Sequence, residues 1–332
     1  MPMVGKLVIF DSKSGSVSEI PVPNREPHSV IVNPAVPRQA LVLDQARRTA
    51  ALVDLVDKKV IAETMPAKAF SFSGHGCYSA DGKILYLAEF PSDLSAQGHV
   101  TLRDPKSLKI LRSFKTGTRW SHNVALIKKG DVLAVGHRGS TIEENKPNSG
   151  GLFTFLSART GEILERVEPE NSRYFLNHFD MTADETILIS TQSYYGSKEK
   201  IVDLPTPIMI GKMGQKMPWN YIIPDSLRPR MLHNHSIVVD RMRNRALLAH
   251  QGGGLVSVWD LATNTVIKTF ELQTPQGIAI SPGGDHYVLG SQSNKTLFVN
   301  AHSLELELSL PGSHFGISGD GPLHFTIVPA IS

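Results

Sequence analysis

Short apolar stretches separated by polar turns run the length of the chain, and one unit of this pattern keeps returning. An apolar run ends in Asp, Asn or Ser, a polar turn such as LATNT or PKSLK follows, and a second apolar run comes after it. The copies are Ile9-Phe10-Asp11, Val53-Asp54, Leu102-Arg103-Asp104, Phe155-Leu156-Ser157, Val258-Trp259-Asp260 and Phe298-Val299-Asn300. Alternating hydrophobics around a short polar turn predict an antiparallel hairpin. The marker residues are 43, 50, 53, 103 and 40 positions apart, so one copy is missing from the long gap. Its place is a Pro-rich, irregular insertion at about 195–231.

A second repeat lies between these hairpins and comes seven times. GCYSADGKILYLAEF, DMTADETILISTQ, SIVVDRMRNRALLAHQ and IAISPGGDHYVLGSQ each give a short apolar strand, a turn and a longer strand; SVIVNPAVPRQALVLDQ, NVALIKKGDVLAVGHR and FGISGDGPLHFTIVP complete the set. Two hairpins per unit and a period of about 40–50 residues predict four-stranded blades. The expected fold is all-β, a seven-bladed β-propeller forming a single domain over 1–332. One blade takes its outer strands from an N-terminal hairpin and its inner strands from a C-terminal hairpin, which leaves no sheet edge open. Gly74-His75 and Trp259-Asp260 are isolated WD-type signatures, too few for a WD-repeat array.

Composition narrows the function classes. Hydrophobic content of 41% and charged content of 20% suit a globular core, and no run of about 18 apolar residues is present to span a membrane. A net charge of +3, with basic residues scattered, does not point to nucleic acid. The one cysteine, Cys77, excludes an internal disulfide and reads as a buried thiol. No signal-peptide pattern precedes the first expected strand, which begins at Val4, and a monomer is expected. GxSxG, phosphate-loop and HExxH motifs are absent.

Mapping the blades exposes candidate chemistry. His28, His75, His122, His178, His235, Gln276 and His314 fall at the starts of the seven expected innermost strands, spaced 47, 47, 56, 57, 41 and 38 residues apart. In a closed propeller these positions encircle the axis. A further shell, Asp44, Glu89, His137, Gln192, His250 and Gln292, follows 14–16 residues later at the ends of the second strands. Neutral imidazole is a ligand for iron, copper, zinc and nickel, and second-shell acceptors such as Glu89, His137, Gln192, His250 and Gln276 fix ligand tautomers. At ~2.0–2.1 Å only three or four of the six histidines fit one ion; His75, His122, His178 and His235, from four consecutive blades, are the favoured set, with His28 and His314 as the remaining candidates. The competing reading is structural, since a histidine here also serves to hydrogen-bond an inter-blade turn. Met209, Met213, Met217 and Met231 add soft sulfur near the histidines, either as copper(I) donors or as fillers beneath a loop. His233, two residues before His235, reads as a loop residue.

The segment Phe72-Ser73-Gly74-His75-Gly76-Cys77-Tyr78-Ser79-Ala80-Asp81-Gly82-Lys83-Ile84-Leu85-Tyr86-Leu87-Ala88-Glu89 resembles the GHG-x-[FY]-S-x-DG-x-LLY-x-x-E block of an uncharacterised bacterial family of propeller proteins, a domain of unknown function. Ser121-His122-Asn123-Val124, Asn177-His178-Phe179 and Gly161-Glu162-Ile163-Leu164-Glu165 are similar to its PHEL, RHL and GELLE segments, and His28, His75, His122 and His178 fall on family histidine positions. The resemblance implies export to the periplasm and a neighbourhood of imelysin-type proteins linked to iron or copper uptake. The HNH at 233–235 departs from it. A looser architectural similarity is to propeller metalloenzymes such as nitrous oxide reductase and carotenoid oxygenases.

Three functions follow from these readings. One is an iron- or copper-binding propeller acting in metal uptake or with a redox partner protein. The second is a metal-free scaffold whose ring-bearing face docks a partner. The third is a metal-dependent redox enzyme using Glu89 or His137 as acid or base, with the catalytic residues otherwise open.

Overall fold

The computed structural model describes residues 5–11, 16–24, 27–45, 49–92, 96–138, 151–193, 204–215, 219–281, 283–292 and 295–307. A hairpin of β1 (Gly5–Phe10) and β2 (Val17–Val22) opens it. The first four-stranded unit is β3 (Pro27–Asn33), β4 (Val36–Asp44), β5 (Ala50–Asp54) and β6 (Lys59–Thr64). The second is β7 (Phe70–Tyr78), β8 (Leu85–Pro91), β9 (His99–Arg103) and β10 (Ile110–Lys115). The third is β11 (Ser121–Ile127), β12 (Val132–His137), β13 (Phe153–Ser157) and β14 (Ile163–Val167). The fourth is β15 (Tyr174–Met181), β16 (Ile187–Ser193), β17 (Ile208–Gly211) and β18 (Asn220–Ile222), joined to the third by one bridge between His137 and Leu176. The fifth is β19 (Asn234–Asp240), β20 (Arg245–His250), β21 (Leu255–Asp260) and β22 (Thr265–Glu271). A three-stranded sheet of β23 (Pro275–Ile280), β24 (His286–Ser291) and β25 (Thr296–Asn300) follows, with Leu306 bridging to Val299.

All these pairings are antiparallel meanders, the repeating β-propeller pattern that the two interleaved repeats predict. The segment expected to close the last blade, His314–Pro329, lies outside the described residues, and so does His314 itself. The hairpin missing from the sequence pattern is present as β17–β18, inside the stretch expected to be irregular. Its strands are four and three residues long, which explains why no apolar run marked them.

Burial explains the sequence pattern. Middle strands are sandwiched between neighbouring sheets, and β5 is buried at every position, whereas β6 alternates strictly between exposed and half-buried residues. The apolar core lies between successive sheets. Leu41, Leu43 and Leu52 pack against Phe72, Leu85 and Leu87, and Phe153 and Phe155 pack against Phe179, Ile189 and Trp219. Emptying one such Leu or Phe position costs about 2–5 kcal/mol. Ile20 and Val22 dock the first hairpin onto Ala40, Val42 and Val53. Met209 and Met231 are both buried in these inter-sheet cores, the gap-filling role the methionine stretch allows; Met217 lies outside the described residues.

Candidate metal centre

Each inner strand breaks register where its ring residue sits. The β3–β4 ladder skips between Pro27 and Ser29, bracketing His28, and β7–β8 skips between Phe72 and Gly76, bracketing His75. The same happens around His122 (Ser121 to Asn123), before His178 (Phe175 to His178), around His235 (Asn234 to Ile237) and around Gln276 (Pro275 to Ile278). A bulge inserts an unpaired residue and re-aims its side chain. Five of the six ring residues are left unpaired in this way, while His178 pairs with Ser190 directly after the break. In β7 and β15 the strand begins earlier than the sequence pattern suggested, so His75 and His178 sit mid-strand, His75 in the bulge and His178 directly after it.

The bulges deliver five imidazoles to one cluster. His28 and His75 bring their Nε2 atoms to 3.0 Å, and His122 and His178 to 3.3 Å. Ring centroids are 4.8 Å apart for His28 and His75, 4.6 Å for His75 and His122, 4.8 Å for His122 and His178, and 5.1 Å for His178 and His235. His28, His75 and His122 each offer a ring nitrogen within 4.8 Å of the other two. All five rings and Gln276 are buried, none more than 9% exposed.

Serines and a glycine set this spacing. Ser29 Oγ donates to the Gly74 carbonyl, and Ser73 Oγ donates to the His122 carbonyl at 2.7 Å, tying each inner strand to the next beside its ring residue. Gly74 holds φ +91°, and a Cβ there would stand 2.3 Å from His28 Cδ2. Only glycine gives that backbone and leaves room for the His28 ring.

Burial keeps His75 and His235 neutral. It pushes the His75 imidazole down to about 3, helped by the charge of His235, and pushes His235 down to about 4, helped by Arg138. Removing a charge from water into this interior is the dominant cost. Neutral imidazole carries the lone pair a metal needs. The ring of His235 is hydrogen-bonded to the Gln276 backbone and that of His233 to the Ser193 backbone, each engaging one ring nitrogen.

The residues at the second-strand ends have a different task. Trp259 Nε1 donates to Ser257 Oγ at 2.6 Å; Ser257 donates to His250 Nε2 at 2.7 Å; His250 Nδ1 donates to Asn234 Oδ1 at 2.6 Å; and Asn234 Nδ2 donates to the Thr206 carbonyl. His137 Nε2 pairs with Thr154 Oγ1 at 2.8 Å. Glu89 accepts from Thr101 Oγ1 at 2.6 Å, Arg103 Nη2 at 2.8 Å and the Ala67 amide at 2.8 Å, and Gln192 accepts from Asn177 Nδ2 at 3.0 Å. Among the described residues, none of Glu89, His137, Gln192 and His250 hydrogen-bonds a ring imidazole. Each of these four is hydrogen-bonded within its own four-stranded unit, His137 to β13 and His250 to β19 and β21.

Two residues at the site escaped the repeat pattern. His233 has φ 49°, outside the strand, yet its ring lies 6.4 Å from that of His235. Arg138 follows the last residue of β12, its guanidinium 5.5 Å from the Trp120 ring centroid, and its charge depresses both His233 and His235. The signal for Arg138 was its place one residue after His137, in a chain where strand ends already carried the polar shell.

Residues 20–315 match the family DUF1513, described as "Protein of unknown function (DUF1513)". The chain belongs to this family. No curated protein matches it. Among solved structures, this DUF1513 chain is similar to Kuenenia stuttgartiensis hydrazine synthase, with 14% identity, a TM-score of 0.73 and 90% of each chain covered. It is also similar to a chain of the mitotic checkpoint complex, with 12% identity, a TM-score of 0.65, and 90% of this chain and 79% of that one covered. At these identities the likeness is one of fold, and function has to be argued from the site.

Proposed function

We propose that this DUF1513 protein binds a transition-metal ion on the propeller axis, with His28, His75 and His122 as ligands and His178 the next nearest donor. The observation that carries the reading is the convergence of three buried imidazole nitrogens from three blades to within 4.8 Å. Ligands ~2.05 Å from one ion stand roughly 2.9 Å apart at right angles and roughly 3.4 Å apart in a tetrahedron. The His28–His75 Nε2 separation of 3.0 Å falls within that range, as does the 3.3 Å between His122 and the next donor His178, while the three-ligand set spans up to 4.8 Å and has to draw in around an ion. An all-nitrogen set suits copper, iron, zinc or nickel. Iron or copper handling, in the periplasm and with a metal-uptake or redox partner, is the role we propose for it, drawing on the resemblance noted in the sequence.

Elemental analysis of protein purified without chelator or affinity-tag nickel tests this. About one equivalent of metal is expected, falling in His75→Ala/His122→Ala. Protein that takes up no iron, copper, zinc or cobalt on reconstitution overturns it, and the metal-free scaffold then stands.

A further inference from the structure

A cavity of about 250 Å³ opens where β14, the outer strand of the third unit, faces β17 and β18 of the fourth. It exists because β18 has three residues where β6, β10 and β22 have six or seven, and so covers less of its neighbour's flank. β14 and β18 end their sheet path, and among the described residues each has one strand neighbour only.

The walls of this cavity are fixed. Val167, Met209 and Trp219 are buried in the same core as Phe153, and the Trp219 ring lies against Gly211, where a Cβ would stand 2.3 Å from Trp219 Cδ2. Two hydrogen bonds tie the third unit to the fourth at the cavity: the Gly214 amide donates to Glu165 Oε2 at 2.6 Å, and the Glu170 amide donates to the Tyr221 hydroxyl oxygen at 2.8 Å. A preformed site loses little to ordering when it binds.

Its chemistry selects a cation. Glu165, Glu168 and Glu170 line it against one guanidinium, that of Arg166, which reaches back to the Gly117 carbonyl of the preceding connection at 3.4 Å. This local balance is the reverse of the chain's net charge of +3. Glu168 and Glu170 are exposed, and the aromatic side chains of Trp219 and Tyr221 lie with them. Carboxylates beside an aromatic ring attract an ammonium or guanidinium group. The volume falls below the roughly 300–1,000 Å³ of pockets for drug-sized ligands and suits one long side chain with an apolar stem and a charged head.

We propose that this cavity is a docking socket for a lysine or arginine side chain carried by an extended segment of a partner protein. The stem rests on Trp219 and Tyr221, the charged head meets Glu168 and Glu170, and the open edges of β14 and β18 offer backbone groups to the segment on either side. The socket is independent of the metal reading.

The probe is the peptide acetyl-Gly-Thr-Arg-Thr-Gly-amide, titrated into the full-length protein while the indole N–H signals of Trp120, Trp219 and Trp259 are followed by NMR. A saturable shift of the Trp219 signal alone is expected. Binding should weaken about tenfold when norleucine replaces the arginine, and by a similar factor in Glu168→Gln/Glu170→Gln, which keeps the Glu170 amide bond to Tyr221. No saturable Trp219 shift up to the peptide's solubility limit overturns the socket. So does equal binding of the norleucine peptide, or unchanged affinity in the double variant. Spermidine that binds more tightly than the peptide makes the occupant a free polyamine and overturns the partner segment.

Discussion

His28 and His75 are 47 residues apart in the chain, and their Nε2 atoms are 3.0 Å apart in space. In the metal-free protein one of the pair carries its proton on Nε2 and donates to the other. On the proposed reading, these two residues would hold a metal ion through the same two ring nitrogens.

Metal should therefore stabilise the fold by mass action. At a free ion concentration of one hundred times Kd the gain is about 2.7 kcal/mol. Thermal unfolding with and without cobalt measures it. A rise in Tm in the wild type that disappears in His75→Ala is expected.

Gly74→Ala should damage both the fold and the site. The new Cβ meets His28 Cδ2 at 2.3 Å, and φ +91° is strained for alanine. A loss of about 1–3 kcal/mol is expected from overpacking and backbone strain, read by urea denaturation. Metal affinity should fall as well, because the His28 ring has to move.

Ser257→Ala separates structure from binding. It leaves Trp259 Nε1 and His250 Nε2 without their partner. The expected cost is about 1–3 kcal/mol per unsatisfied buried group. Metal content, measured by elemental analysis, should stay at the wild-type value.

Glu89 and Arg103 form a buried ion pair, the carboxylate fully enclosed. Glu89→Gln leaves the guanidinium without a counter-charge and is expected to cost about 3–5 kcal/mol. Glu89→Gln/Arg103→Met should recover part of that loss. Denaturation midpoints of the two variants provide the comparison.

Stability should fall as pH falls from about 6.5 towards 3. Burial pushes both His137 and His250 down to about 3 in the folded protein, against 6.5 for an exposed histidine. Between those values the unfolded chain binds protons that the folded chain does not, so acid favours unfolding. Above about 6.5 these two groups contribute no pH dependence. Chemical denaturation of metal-free protein at pH 7.5, 6, 5 and 4 checks the slope, and one that stays flat over this range contradicts it.

The sequence by itself determined the antiparallel repeat, because alternation of apolar residues around Asp, Asn and Gly turns is a local property of the chain. It also determined which residues occupy equivalent places: His28, His75, His122, His178, His235 and Gln276 lie one to a blade, and Asp44, Glu89, His137, Gln192, His250 and Gln292 form a second register behind them. It did not show β17–β18, whose strands are too short to leave a periodic trace. Nor did it separate the tasks of the two registers. His235 and His250 read alike as polar residues at strand ends, yet His250 closes a hydrogen-bond chain from Trp259 to Thr206 while His235 joins the ring cluster. Only the tertiary structure decided that, because a bulge is set by how an inner strand pairs with its neighbour, and the approach of His28 to His75 by how one blade packs on the next. Both depend on contacts some 15 to 60 residues apart, which no local pattern encodes.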